Sequence, residues 1–173
     1  TVLKSVFTVF LLLCSMGVFG QTNVSYTAFT TPTCPANPVA TISTPPTGLT
    51  FSQMSRGAGV TCGNTASCIT GSGFNGTLAA NISASKWFTF SITSDASNTF
   101  TLNSLSIVSR VSSITGSPTV SVQYSIGAGA KTLIGTYTPT ASAAAYTITP
   151  SSAISVGAGQ VLNIFIIPVG LTA

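Results

Sequence analysis

The sequence is almost without charged side chains: 173 residues include five Lys and Arg, one Asp or Glu and no His. General acid–base catalysis needs a group that titrates near neutral pH, and glycoside hydrolysis needs two carboxylates, so Asp95 alone supplies neither mechanism. A serine nucleophile would have only Lys86 or Lys131 as its base, and no motif supports that arrangement. We therefore expect a non-catalytic chain.

The positive charges are scattered and form no basic run. They stand at Arg56, Lys86, Arg110 and Lys131. Cleavage of an N-terminal segment that contains Lys4 lowers the formal net charge from +4 to +3. Proteins that neutralise nucleic-acid phosphates carry clustered Lys and Arg, which this chain lacks. We therefore expect no nucleic-acid partner.

The sequence also has few residues that could bind a metal ion or a cofactor. Zinc sites combine Cys with His or with further thiols, and the sequence has no histidine. Asp95, with Asn98 nearby, is a weak calcium candidate, because a hard cation prefers several carboxylates. The favoured alternative is an Asp that bonds its own backbone in a turn. We predict no cofactor.

Residues 1–20 have the pattern of a secretory signal peptide. Lys4 precedes an apolar run over residues 6–13, and Val18 and Gly20 occupy the positions that a signal peptidase reads before cleavage. The run is shorter than the roughly 20 apolar residues of a membrane-spanning helix, and no later segment replaces it. We expect a protein that is secreted or held at the cell surface, without a transmembrane segment in its mature chain.

Three cysteines remain after the signal peptide. Cys62 and Cys68 bracket a short loop containing Gly and Asn, which brings two Cα atoms within disulfide range, so we predict a Cys62–Cys68 disulfide. Two reduced thiols are the alternative. Cys34 is left to a segment outside this chain or to a reduced thiol. Lipidation of Cys14 is disfavoured, because Leu13 rather than a small residue precedes it.

The rest of the chain divides into a leader and a β-domain. Residues 21–47 hold five prolines among threonines, which block helices and interrupt sheets, so this stretch is either a linker or carries a first edge strand at residues 39–42. Residues 48–173 form the domain. The chain starts at Thr1 and ends shortly after an apolar stretch, so we expect a domain cut at its C-terminus within a larger polypeptide.

Alternation of apolar and polar residues predicts most of the strands, with no competing helical periodicity. Residues 161–167 are apolar on both faces, as in a central strand covered on both sides. A phase shift at Asn103 and Ser104 indicates a bulge. We predict an all-β, antiparallel two-sheet sandwich of six to eight strands, with strands at residues 49–53, 86–93, 100–107, 120–126, 132–137, 146–149 and 161–167.

Four segments resemble a recurrent jelly-roll-like β-sandwich domain of bacterial, Bacteroidetes-type secreted and surface proteins with C-terminal sorting signals. The segments are SRGAG at 55–59, WFTFSI at 87–92, TFTLNSLS at 99–106 and VSVQYSI at 120–126. The resemblance implies a jelly-roll fold whose last strand lies beyond the end of this chain. It carries over no functional residue.

Trp87 is the leading ligand candidate, because it points away from Phe88 and an aromatic face stacks on sugars or apolar partners. Packing under a loop is its alternative. Arg56 and Arg110 are further candidates for a sugar or acidic partner, or else donors to backbone carbonyls. We expect an exported module for adhesion, carbohydrate attachment or surface display. A structural spacer or matrix subunit, or an accessory domain of a larger enzyme, are the alternatives.

Overall fold

The protein is an antiparallel β-sandwich. The computed structural model describes residues 23–27, 29–30, 34–37, 39–63, 68–69, 71–111 and 118–170. Within these ranges it has fourteen strands and one helix, in the chain order β1 (Tyr26–Thr27), β2 (Thr41–Ile42), β3 (Leu49–Phe51), β4 (Ser55–Arg56), β5 (Thr61–Cys62), β6 (Gly71–Ser72), α1 (Leu78–Ser83), β7 (Phe88–Ser94), β8 (Phe100–Leu102), β9 (Leu105–Ser109), β10 (Thr119–Ile126), β11 (Thr132–Tyr137), β12 (Ala144–Ile148), β13 (Ile154–Val156) and β14 (Val161–Val169).

The all-β, antiparallel class is confirmed. The strand count exceeds the predicted six to eight because five of the ladder strands span only two residues, too few to show an alternating pattern. The jelly-roll connectivity that the resemblance implies stays a prediction.

One six-stranded sheet, the main sheet, organises the sandwich. Its order is β11-β10-β14-β7-β3, and β4 also pairs with β7. Strand β14 lies between β10 and β7, and Leu162, Ile164 and Ile167 are fully buried. Branched side chains on both faces suit a pleated strand that is covered on both sides. The predicted central position in the sheet is confirmed, whereas the predicted cover on both faces is only partial, because Val161, Asn163 and Phe165 on the outer face are half-buried.

The core lies between the main sheet and a second layer made of the β8–β13 and β9–β12 pairs. Ile164 is in register with Phe90 on β7 and with Tyr124 on β10, so these side chains share the inner face. Ile148 and Val156 from the second layer join the same hydrophobic cluster. Burial of apolar side chains from both layers is the dominant favourable term for folding.

The predicted bulge at Asn103 and Ser104 is wrong. These residues separate two strands with different partners, since β8 pairs with β13 and β9 pairs with β12. A phase shift in one strand and a change of partner produce the same sequence pattern, so the alternation cannot tell them apart. The register shift of the main sheet lies instead in the β10–β11 pair, between Val122 and Gln123.

Helix α1 was not predicted, because six residues are too few for a helical period to appear. Its N-cap is Thr77, whose Oγ1 accepts a hydrogen bond from the Ala80 backbone N–H at 3.3 Å. Asn81 anchors the helix to the main sheet, because its Nδ2 donates to the Pro168 carbonyl of β14 at 2.9 Å. The helix therefore contacts the C-terminal end of β14.

The described part of the leader packs on the sandwich. Strand β2 pairs with β1, which matches the edge-strand alternative for this stretch. The Tyr26 ring lies 5.1 Å from the Phe90 ring, and its hydroxyl donates to the Ser52 carbonyl at 2.7 Å. Burial raises the pKa of Tyr26 above its ordinary value. Residues 1–20, the predicted signal peptide, lie outside the described residues.

A disulfide joins the leader to the domain, and it is not the predicted one. Cys62 is bonded to Cys34, with their Cα atoms 5.8 Å apart, so the Cys62–Cys68 prediction is wrong. Arg56 explains the pairing, because its guanidinium donates to the Ala36 carbonyl at 3.0 Å and to the Gly63 carbonyl at 3.2 Å. It thereby holds together the segments that follow the two bonded cysteines.

Candidate functional site

Trp87 lies on the outer face of the main sheet. It immediately precedes β7 and alternates with Phe88, which packs against the core. The Gly57 N–H donates to the Trp87 carbonyl at 2.8 Å. A Cβ on residue 57 would lie 3.0 Å from the indole Nε1 and would collide with the Ser85 carbonyl. Glycine at this position therefore lets the neighbouring segment pass close to the indole.

Trp87 is part of an aromatic cluster with a cation over it. The Trp87 and Phe165 rings meet edge to face, with centroids 5.3 Å apart and an interplanar angle of 80°. Lys131 Nζ lies 4.5 Å from the Trp87 ring centroid and 4.4 Å from that of Phe165. We call these three residues the outer cluster. Cation–π contacts contribute about 0.5–1 kcal/mol at exposed sites and about 2 kcal/mol when desolvated.

A buried amide lies beside the outer cluster. Gln123 is paired in register with Phe165 on one side and with Leu133 on the other, and is 6% exposed. Its Nε2 donates to Ser121 Oγ at 3.3 Å, while Oε1 has no hydrogen-bond partner in the described part of the chain. Exchange of the two amide atoms would leave Nε2 unsatisfied instead. Leu133, next to this amide, is 55% exposed.

The charge of Lys131 is not neutralised by the acidic residue of the chain. Asp95 is the one Asp or Glu in the sequence. Phe165 is in register with Thr89, six residues before Asp95 along β7, which corresponds to about 20 Å at about 3.3 Å per residue. The Lys131 cation therefore contacts aromatic rings and is too far from the Asp95 carboxylate to form an ion pair with it.

Asp95 bonds its own backbone in a turn, the arrangement that the sequence favours over calcium binding. Its Oδ1 accepts hydrogen bonds from the backbone N–H of Ser97 at 2.9 Å and of Asn98 at 2.8 Å, and Asn98 Nδ2 donates to both carboxylate oxygens. These bonds, that from the Ser97 N–H first, lower the pKa of Asp95 below its ordinary value.

Arg56 is a donor to backbone carbonyls, as its second interpretation predicts. Besides Ala36 and Gly63, its Nη1 donates to Asn37 Oδ1 at 3.2 Å. Burial lowers the pKa of the guanidinium, and the charge of Cys68 acts in the opposite direction. Arg56 is paired with Phe88 in register, so its side chain and that of Trp87 leave the main sheet on opposite faces.

The structure does not bring the three predicted ligand residues together. Arg110 follows β9 in the second layer and is exposed, whereas Trp87 belongs to the main sheet. A second aromatic pair, Tyr137 with Tyr146, has its centroids 4.3 Å apart at 19°, and both hydroxyls already make hydrogen bonds. Those two rings cover each other's faces by stacking, whereas the Trp87 and Phe165 rings meet edge to face, so the outer cluster leaves more ring face for a ligand.

Phe165, Lys131 and Gln123 were not among the predicted ligand residues. Phe165 carried a usable signal, because it is an aromatic residue out of phase with Ile164 and Ile166 in a strand apolar on both faces. The position of Lys131 depends on the hairpin between β10 and β11 and on the neighbouring β14. Alternation within one segment does not show that register.

Among the described residues, no group of three His, Cys, Asp or Glu side chains is placed to hold a metal ion. No helix in the described ranges reaches the length and hydropathy that crossing a bilayer requires. Comparison of the chain with protein-family models, with curated proteins and with solved structures gives no match.

Proposed function

We propose that the protein is a non-catalytic, exported module that attaches to carbohydrate through the outer cluster. The observation that carries this proposal is the Trp87–Phe165 pair, two aromatic rings on the outer face of a rigid sheet with Lys131 over them. Aromatic side chains combine a large apolar area with few rotatable bonds, so an aromatic ring held on a sheet is preorganised to stack on a flat ligand. The hexose ring is such a ligand.

The surroundings of the outer cluster suit a sugar better than an apolar protein partner. Thr89, Ser91 and Asn163 lie on the same outer face, because they alternate with the core residues of β7 and β14. Hydroxyl and amide groups next to an aromatic platform match the two kinds of surface that a sugar presents, its C–H face and its hydroxyl edge. The exposed Leu133 extends the apolar part of the platform.

Export and absence of catalysis complete the proposal. The pattern of residues 1–20 is that of a secretory signal peptide, and a disulfide such as Cys34–Cys62 persists in oxidising compartments. Outside the cell, the exposed members of the 53 Ser and Thr residues in the sequence supply solubility with very little charge. The resemblance to bacterial surface modules agrees with this location and remains part of the proposal.

Calorimetric titration of the protein with a panel of soluble oligosaccharides tests the function. We expect Trp87→Leu to weaken the binding of the best ligand by about tenfold or more, since aromatic anchors dominate binding energy. Val108→Ala is the matched control, because Val108 is 71% exposed in the second layer, and its affinity should equal that of the unchanged protein. Absence of binding across the panel, or a Trp87→Leu variant that binds normally, would contradict the proposal.

A structural spacer is the second candidate, and one observation favours it. The outer cluster is internally satisfied, because Lys131 covers the two rings and the rings pack on each other. A spacer would use this cluster only for stability. In that case Trp87→Leu lowers the free energy of unfolding while no oligosaccharide binds, a combination that the same calorimetric titration and a urea unfolding curve distinguish.

A further inference from the structure

The position of Lys131 discriminates between classes of sugar. Its Nζ lies within 4.5 Å of both ring centroids, which is the space that a stacked sugar ring would occupy. A neutral sugar must displace this cation from the rings and offers no charge in return. A sugar with an anionic group offers a charge-assisted hydrogen bond, which is stronger than a neutral one. The lysine therefore penalises neutral ligands and compensates acidic ones.

The net positive charge of the chain also favours an anionic ligand over a neutral one. Four of its five basic residues lie beyond the signal peptide. The one acidic side chain, Asp95, accepts hydrogen bonds within its own turn. No carboxylate of an Asp or Glu side chain therefore competes for Lys131 or repels an anion approaching the outer face. A field of one sign raises the association rate of an oppositely charged ligand.

We infer that the outer cluster takes an anionic glycan, with Lys131 as the residue that determines its specificity. This inference rests on the proposed function. In the bound state Lys131 Nζ leaves the ring faces and donates to a carboxylate or sulfate oxygen, while the sugar ring stacks on Trp87. Discrimination arises because the unbound lysine obstructs ligands that lack this group, as specificity often needs a repulsive element.

Trp87 is the one tryptophan of the chain, so its fluorescence reports on this cluster directly. The probes are an oligogalacturonate hexamer, its methyl ester, a sulfated galacto-oligosaccharide of the same length and neutral cellohexaose. We expect one or both anionic probes to bind at least about tenfold more tightly than the ester and cellohexaose in low salt, with the difference shrinking as salt screens the charge. The tighter of the two anionic probes identifies the group recognised.

Variants separate the role of Lys131 from general charge. Lys131→Met should abolish the preference and leave equal affinity for the acid and the ester, and Lys131→Arg should retain it. Lys86→Met is the matched control: it removes the same charge, but Lys86 Nζ donates to Asn75 Oδ1 and does not cover the rings. It should keep most of the preference.

Equal binding of acid, ester and neutral probes, or a preference that survives Lys131→Met, overturns the inference and leaves carbohydrate binding intact. If none of the four probes changes the fluorescence of Trp87 and none gives heat on titration, the proposed function fails with it. The three variants replace partly exposed side chains that lie outside the strands, so circular dichroism should show unchanged folding and the binding result remains decisive.

Discussion

Loss of the Cys34–Cys62 disulfide should destabilise the protein by an amount that its loop length sets. The bonded cysteines are 28 residues apart. Cross-linking a loop of that length removes about 12 cal/mol/K of entropy from the unfolded chain, or about 3.6 kcal/mol at 25 °C. This is a large share of the roughly 5–15 kcal/mol that stabilises a typical domain. The double variant Cys34→Ala/Cys62→Ala should therefore unfold at much lower urea concentration.

The urea unfolding curve measures this loss, and its slope gives a second readout. Without the cross-link the unfolded chain exposes more surface, so the slope of free energy against urea should increase. Cys68→Ser is the matched control: it removes a thiol but leaves the cross-link in place, so it should lose much less stability than the double variant. Peptide mapping that finds Cys62 joined to Cys68, or a Cys68→Ser variant as unstable as the double variant, would refute the reasoning.

Three further changes test other parts of the structure by urea unfolding. Ile164→Ala empties a fully buried position of the central strand and should cost about 2–5 kcal/mol; a loss under about 1 kcal/mol would contradict its central place. Gln123→Met removes an amide oxygen that has no partner in the described part of the chain, together with the 3.3 Å bond to Ser121 Oγ, so stability should rise by no more than about 1 kcal/mol, whereas a loss above about 1 kcal/mol would show that the amide is satisfied. Because the folded pKa of Asp95 is depressed, its contribution is present above the unfolded pKa of about 3.9 and is lost as pH falls through the lower folded value. Asp95→Asn should flatten that acid dependence, and a curve identical to that of the unchanged protein would count against the turn.

The elements predicted from the sequence are those whose signal is local. Strands β7 and β14 follow from the alternation of Phe88, Phe90 and Ile92 and from the apolar run of residues 161–167, and the structure places both in the main sheet. Each pattern needs only a few consecutive residues. The same reasoning gave the turn at Asp95, whose carboxylate binds N–H groups two and three residues away.

Features that depend on distant residues were missed. The disulfide prediction chose Cys68 because it is near Cys62 in sequence, whereas Arg56 brings the Cys34 segment to Cys62 through two carbonyl contacts. A guanidinium offers five N–H donors, so one Arg can join several chain segments. Its sequence signal was the shortage of carboxylates, which indicated that Arg56 donates to carbonyls but not which carbonyls.

The shortage of acids also explains why the outer cluster has a lysine at its centre. In most proteins a surface lysine finds a carboxylate nearby, but here one Asp serves the whole chain and is bound in its own turn. The ring faces of Trp87 and Phe165 carry negative electrostatic potential and are the neighbours that the structure gives to the Lys131 cation. That contact is weaker than a charge-assisted bond to an anion, so the cation remains available to a stronger acceptor. The same scarcity of acids thus leaves a cation over the rings of Trp87 and Phe165, and the proposed recognition of an anionic sugar would use both the cation and the rings.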